Sequence, residues 1–215
     1  MPYRLVPFAN ENFYHVFNRG VEKRITFLDN RDYQRLIEII YYYQYSGPKP
    51  RFSTHKRFKV INFDQNPKIV EIICYCLMPN HFHFLLKQVQ ESGIQEFLSK
   101  VTNSYTKYFN TKYKRVGPLF QGQFKAVRVE SNEQLLHLSR YILLNPYVGS
   151  LHHEWKTYPY SSIFEFVNEA KNNICSTKYI TEHFPSGEDY QKFIADQQGY
   201  AQELEIIKHT LFDED

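Results

Sequence analysis

The chain is poor in cysteine, has a single tryptophan, and carries no apolar run long enough to cross a membrane. Three cysteines, Cys74, Cys76 and Cys175, are an odd number and too few for a disulfide scaffold. With no signal-peptide pattern, the expectation is a reduced, soluble, cytosolic protein with no membrane partner. Internal repeats and low-complexity tracts are also missing, which excludes repeat architectures. So is a strong charge of one sign. Lys and Arg total 26 against 23 acids, a net +3, so total charge does not announce a nucleic-acid binder and its distribution must decide.

Aromatic residues are abundant, with 18 Tyr and 18 Phe in 215 residues. That excess goes beyond what packing asks for and suits a surface that stacks on bases. An apolar fraction of 42% supports a substantial core, and the length fits one domain with or without an appendage.

The informative stretch runs from Cys74 to Leu86. An apolar run leads in, Pro79-Asn80 marks a turn, and an alternating strand leads out. Alternation sends His81 and His83 to one face, expected to be exposed, and Phe82 and Phe84 to the core. Two imidazoles at i and i+2 on a strand lie close enough to share a divalent metal. A cupin-like site also begins His-x-His but needs a Glu shortly after, and Phe84 to Gln90 holds none. A structural zinc site from Cys74, Cys76, His81 and His83 is a rival reading.

Around this hairpin the pattern predicts a first strand ending at Arg19-Gly20. His15 within it reads as a packed or hydrogen-bonded ring, and Arg19 as either a phosphate contact or a solvated strand end. A helix capped by Asp29 or Asn30 follows, with an apolar face through Leu36 and Ile40. Residues 46–68 are rich in Pro and base, including Lys56, Arg57 and Lys59, with one short strand at 58–63. They read as a solvated loop or as a basic arm on a nucleic-acid backbone. After the hairpin come a helix over 94–114, a Gly-Pro turn, a strand over 125–129, and a helix capped by Ser131 that stops at Asn145-Pro146. The middle helix interleaves Lys107, Tyr108, Lys112 and Arg115, a mixture that suits nucleic acid. On the last helix Tyr141 and Asn145 share a face at the rim of the buried stripe. Ser161-Ser162 and Ser186 open two short helices beyond it, before an acidic end.

Three motifs in order resemble the REP-associated tyrosine transposases, within the single-tyrosine HUH transposases. They are Met78 to Leu86 around His81-Phe82-His83, Gly117 to Phe124, and Tyr141-Ile-Leu-Leu-Asn145-Pro146. The opening Tyr14 to Gly20 is similar to the family's first strand, so the likeness spans about 13–162. It implies an α+β fold, a central antiparallel sheet flanked by helices like a ferredoxin-like or RRM-like palm. The implied domain is 1–167 with 46–68 as a basic insertion, and 168–215 forms a C-terminal helical extension. It implies His81 and His83 as ligands of Mg²⁺ or Mn²⁺, with Asn145 where insertion-sequence relatives carry a Gln, binding directly or through water. Tyr141 is the implied nucleophile. The DNA-contacting set is Arg19, Lys56, Arg57, Lys107, Tyr108, Arg115, Gln121 and Lys125. The implied activity is metal-dependent cutting and rejoining of single-stranded DNA with hairpin structure, by a monomer or homodimer in the cytoplasm, at the nucleoid. The rival from another class is a non-catalytic single-strand-binding protein with a structural metal site.

Overall fold

The computed structural model describes residues 7–58, 66–167 and 174–196. Its centre is a sheet of four strands: β1 (Phe13–Arg19), β2 (Val70–Met78), β3 (His81–Gln88) and β4 (Lys125–Val129). They lie in the order β2-β3-β1-β4, with every neighbouring pair antiparallel. Helix α1 (Asn30–Tyr43) and the short α2 (Phe52–Phe58) connect β1 to β2, and α3 (Gly93–Lys112) connects β3 to β4. Helix α4 (Asn132–Val148) follows β4, and then the short helices α5 (Ile163–Phe166), α6 (Lys178–Thr181) and α7 (Gly187–Ala195). This is the ferredoxin-like connectivity expected from the sequence. The fold is α+β.

Alternation along the strands builds two cores. Tyr14, Val16, Phe82, Phe84 and Leu86 point to one face and meet Leu36, Ile40, Phe97, Val101 and Tyr105 of α1 and α3. Cys74, Cys76 and Leu85 point to the other and meet Leu135, Ile142 and Leu143 of α4, with Ile180, Tyr190 and Ile194 of α6 and α7. The sheet is therefore covered on both sides. The histidine face is not open: α4 packs across β2 and β3 there. His83 is only 7% exposed, which corrects the expectation that both rings leave an exposed face.

The first layer is locked by a buried carboxylate. Asp32 in α1 is wholly buried. It accepts from Leu28 N at 2.9 Å, Tyr108 Oη at 3.0 Å and Tyr113 Oη at 2.8 Å, and pairs with Lys112 Nζ at 2.7 Å. A buried acid persists only when its lone pairs are satisfied, and removing it strands several donors at once. Asp32→Ala is expected to cost about 3 kcal/mol in urea unfolding. A loss under about 1 kcal/mol would mean that the α1–α3 contact rests on its apolar face alone.

Three local expectations are corrected. The stretch expected as a strand at 58–63 begins as the end of a helix, with Phe58 closing α2, and 59–65 lie outside the described residues. Helix α4 does not stop at Asn145-Pro146 but runs through Pro146 to Val148. A proline removes one donor, and here only two helical residues follow it. The end is closed by Gly149 N to Asn145 O at 2.9 Å and Leu151 N to Pro146 O at 2.9 Å. The aromatic excess is spent inside: among the described Tyr and Phe residues, only Phe58 is exposed. Rings fill both cores, so composition alone does not mark a stacking surface.

Candidate active site

The β2–β3 turn is pinned from below. Pro79 O accepts from Thr26 N at 2.8 Å and Phe27 N at 3.1 Å, and Asn80 O accepts from Gly20 N at 2.7 Å. Gly20 is required here, because a Cβ would lie 2.3 Å from Arg24 O. The loop before β4 returns to the same place: Val21 N donates to Leu119 O at 3.0 Å, and Gln121 N to Arg19 O at 2.7 Å. The Arg19-Gly20, Pro79-Asn80 and Leu119–Gln121 segments thus meet at one end of the sheet, where β3 begins.

That convergence orients the histidines. Asn80 Nδ2 donates to Lys23 O at 3.2 Å, which fixes the amide and turns its Oδ1 to His81 Nδ1 at 2.7 Å. An amide oxygen only accepts, so Nδ1 of His81 carries a proton, and in the neutral ring the lone pair sits on Nε2. His83 Nδ1 lies 2.9 Å from His15 Nε2. The ring centroids of His81 and His83 are 5.0 Å apart, and those of His15 and His83 5.2 Å. Each expected ligand thus has its Nδ1 engaged by a neighbour, the arrangement that orients metal-binding imidazoles. Arg19 sits directly opposite His81 in the β1–β3 register, and its buried Nε has no hydrogen-bond partner among the described residues.

Tyr141 reaches this cluster from α4. Its half-buried ring stands edge-on to His83 at 5.7 Å and to His15 at 6.2 Å, with interplanar angles of 82° and 81°. Asn145, one turn on, is 3% exposed, and the described contacts do not join its amide to either histidine. The phase of α4 is set next door to the tyrosine. Ser139 Oγ lies 2.9 Å from Tyr190 Oη, and Arg140 donates to Phe193 O at 3.1 Å while stacking 4.3 Å over the Phe193 ring. Leu135, Ile142 and Leu143 complete the grip.

Sequence reasoning misses His15, Ser139, Arg140, Tyr190 and Phe193 as parts of this site. His15 is hydrogen-bonded as expected, but its partner is His83. The available signal is strand phase, since His15 alternates onto the same face as Phe17 and Arg19. Nothing local in the sequence marks Tyr190 or Phe193.

The zinc reading fails on geometry. Cys74 and Cys76 are fully buried in the second core, and burial pushes both thiols well above the usual range. Among the described residues no group of three or more His, Cys, Asp or Glu is arranged to hold a metal.

Residues 53–145 match the family model described as Transposase IS200 like. Over these residues, less than half of its length, the chain is similar to the IS200-like transposases. The match contains His81, His83 and Tyr141, and its last residue is Asn145. A solved structure of a REP-associated tyrosine transposase bound to a REP hairpin is similar over 78% of this chain and 86% of its own, at 16% identity and a TM-score of 0.53. That is a likeness of fold. A structure from Deinococcus radiodurans R1, whose description also names a transposase, aligns over 70% of this chain and 98% of its own, at 12% identity and a TM-score of 0.37. No match was found among curated proteins.

The remaining expected contacts fall in three places on the fold. Arg19, Gln121 and Lys125 lie near the histidines: Lys125 stands opposite Phe17 at the free edge of β4, and Gln121 is bonded to Arg19. Lys107, Tyr108 and Arg115 belong to α3 and its exit, in the layer on the far side of the sheet. There Lys107 is exposed, the Tyr108 hydroxyl is taken up by Asp32, and Arg115 donates to Asn110 Oδ1 at 2.9 Å. Lys56 and Arg57 are on α2, with Lys56 paired to Glu38 and Arg57 stacked 5.1 Å from the Phe58 ring. Lys59 lies outside the described residues. No described helix is long and apolar enough to cross a membrane.

Proposed function

We propose that the protein is an endonuclease and strand transferase that cuts and rejoins structured single-stranded DNA through a 5′-phosphotyrosine on Tyr141. The observation that carries this reading is the meeting of the Tyr141 ring with His83 and His15, on a helix whose phase is fixed from both sides. The phenol oxygen attacks phosphorus, a new O–P bond forms to the 5′ side, and the 3′ oxygen leaves with a proton. One phosphodiester is exchanged for another, so the 3′ hydroxyl can attack in turn and restore the strand. The phenol is a weak nucleophile, with an ordinary pKa of about 10, and negative charge grows on the nonbridging oxygens.

His81 and His83 would hold Mg²⁺ or Mn²⁺, with Asn145 as a direct or water-linked oxygen donor. A bound cation supplies Lewis-acid stabilisation of the charge on the scissile phosphate. The donor set fits in kind: both imidazoles have an oriented Nδ1, and hard cations keep several waters or substrate oxygens. Arg19, opposite His81, would carry a phosphate oxygen, because a buried guanidinium N–H without a partner awaits an acceptor. The helical segments after residue 167 act as an extension that braces α4.

The hairpin preference draws on the solved relative, which is bound to a REP hairpin. The protein works in the cytoplasm on nucleoid DNA, as a monomer or a homodimer. The deciding experiment incubates it with structured single-stranded DNAs and Mn²⁺ and separates the products under denaturing conditions. A DNA–protein band that survives denaturation supports the reading. Binding without that band, unaffected by chelation, would replace it with a non-catalytic single-strand binder.

The basic arm gives a separate expectation. Lys56→Gln with Arg57→Gln should flatten the salt dependence of hairpin binding, by about 0.7 in log–log slope for each phosphate no longer neutralised. An unchanged slope returns α2 to a solvated element whose Lys56 serves Glu38.

A further inference from the structure

His15 is the one histidine of the cluster that the proposed reaction leaves without a task. It alternates onto the same face of β1 as Phe17 and Arg19, and in the β1–β3 register Phe17 stands opposite His83 and His15 opposite Leu85. That puts the His15 ring diagonal to His83, a spacing that long or aromatic side chains bridge. The bridge is a hydrogen bond between His15 Nε2 and His83 Nδ1 at 2.9 Å. The ring planes differ by only 19° and the centroids are 5.2 Å apart. With the nitrogens at 2.9 Å, that centroid spacing belongs to rings that meet end to end, each nitrogen aimed at the other, and not to rings stacked face on face. The same ring stands edge-on to Tyr141 at 6.2 Å. His15 therefore lies beside an expected metal ligand and the expected nucleophile at once.

Two neutral imidazoles that meet end to end hold one proton between their nitrogens, and the ring that owns it decides what His83 can do. If His15 donates, the proton of neutral His83 sits on its Nε2, and that nitrogen cannot ligate. If His83 donates from Nδ1, its Nε2 keeps a lone pair for a cation, and His15 carries its own proton on Nδ1. Asn80 fixes the other ligand in the same sense, because its Oδ1 can only accept from His81 Nδ1. The two acceptors are alike in a second way. One is an amide oxygen and the other a neutral ring, whereas carboxylates are common partners of metal-bound histidines. A carboxylate here would set a negative charge beside a site that has to admit a phosphodiester, and like charges repel most strongly where water is scarce.

We propose that His15 is a positioning residue: it accepts from His83 Nδ1, fixes that ring's tautomer and orientation, and so keeps the His83 Nε2 lone pair available to a divalent cation without adding charge. The proposal rests on the metal reading above and adds the residue that prepares one of its ligands. A recess of about 200 Å³ beside His15, lined also by Val127, Gln134 and Leu138, gives a substituted side chain room, so variants at this position should disturb the packing of α4 little.

The test compares wild type with His15→Phe, which keeps a ring but no acceptor, and His15→Gln, whose amide oxygen can accept as that of Asn80 does. Mn²⁺ binding is followed by electron paramagnetic resonance, beside thermal unfolding and hairpin binding in chelator. His15→Phe should bind Mn²⁺ about 10- to 100-fold more weakly, the usual loss when the group behind a metal-bound histidine is removed, with unfolding and chelated hairpin binding unchanged. His15→Gln should recover most of that loss. Heteronuclear NMR of the wild-type imidazoles, saturated with diamagnetic Mg²⁺, should show the His83 proton on Nδ1. That measurement needs no variant and decides the matter if His15→Phe fails to fold. Equal Mn²⁺ affinity in wild type and His15→Phe overturns the assignment and leaves the nuclease reading standing. So does an equal loss in His15→Phe and His15→Gln, which would make the ring a packing element only, and so does a His83 proton on Nε2 with Mg²⁺ bound. A wild type that binds no Mn²⁺, alone or with a hairpin, overturns this proposal and the metal site together.

Discussion

Tyr141→Phe should still bind hairpin DNA yet form no covalent product, with cleavage reduced by at least about a thousandfold, because removal of a nucleophile in covalent enzymes costs that much or more. The substitution deletes one oxygen from a half-buried ring whose contacts with His15 and His83 are made by its edge and face. Those ring contacts remain in phenylalanine. Stability should therefore change by no more than about 1 kcal/mol. Wild type should hold the 5′ phosphate of the cut strand on Tyr141 and release a fragment with a free 3′ hydroxyl. Peptide mapping of the trapped adduct decides the residue. Label on Tyr147 or Tyr160 would move the nucleophile while sparing the reaction class. Cleavage by the phenylalanine variant, with free ends, would instead make the protein a metal-dependent hydrolytic nuclease.

The strands and helices are legible in the sequence because their signals are local. The alternation His81-Phe82-His83-Phe84 gives a strand between two environments, and the structure puts the phenylalanines in one core and the histidines on the opposite face. Ser131 and Ser186 announce α4 and α7 as side-chain caps, accepting from Gln134 N and Asp189 N. Ser92 precedes α3 in the same way, but it adopts a left-handed conformation and caps nothing with its side chain. The start of α3 there is set by packing: Gly93 lies so close to Ile69 that a Cβ would sit 2.2 Å from Ile69 O. Such a constraint crosses more than twenty residues of chain, and no local pattern records it.

The candidate site divides in the same way. His81, His83 and Tyr141 stand out by motif and phase, because strand and helix periodicity place them. The cover over them has no such signal. A face bearing two histidines reads as solvated, yet α4 closes over it, since Leu135, Ile142 and Leu143 need the apolar patch of Cys74, Cys76 and Leu85. The same packing carries Pro146 into the helix, buried rather than at its end. Tyr190 and Phe193 act on the site only through Ser139 and Arg140, from some fifty residues away in sequence. Their role exists only in three dimensions.

That cover changes how the histidines should be tested. His83 is nearly buried and bonded to His15, so His83→Ala opens a cavity and leaves a polar ring without its partner. A loss of function there mixes folding with chemistry. His81 is half-buried, and its Nδ1 is held by the adjacent Asn80, so His81→Ala is the cleaner variant. Its thermal unfolding should stay near wild type, while cleavage with Mn²⁺ falls by about a hundredfold or more, the scale for losing one stabiliser of the developing charge. Hairpin binding measured with metal chelated should be unchanged, because the ring then has no ion to hold. Imidazole donors favour Mn²⁺ over Mg²⁺, so wild type should reach full activity at lower Mn²⁺ than Mg²⁺. In His81→Ala the Mn²⁺ concentration for half-maximal cleavage should rise. Unchanged Mn²⁺ dependence with unchanged cleavage would remove His81 from the metal site. Unfolding of His81→Ala at ordinary temperature would assign the ring instead to the pinned turn formed by Gly20, Pro79 and Asn80.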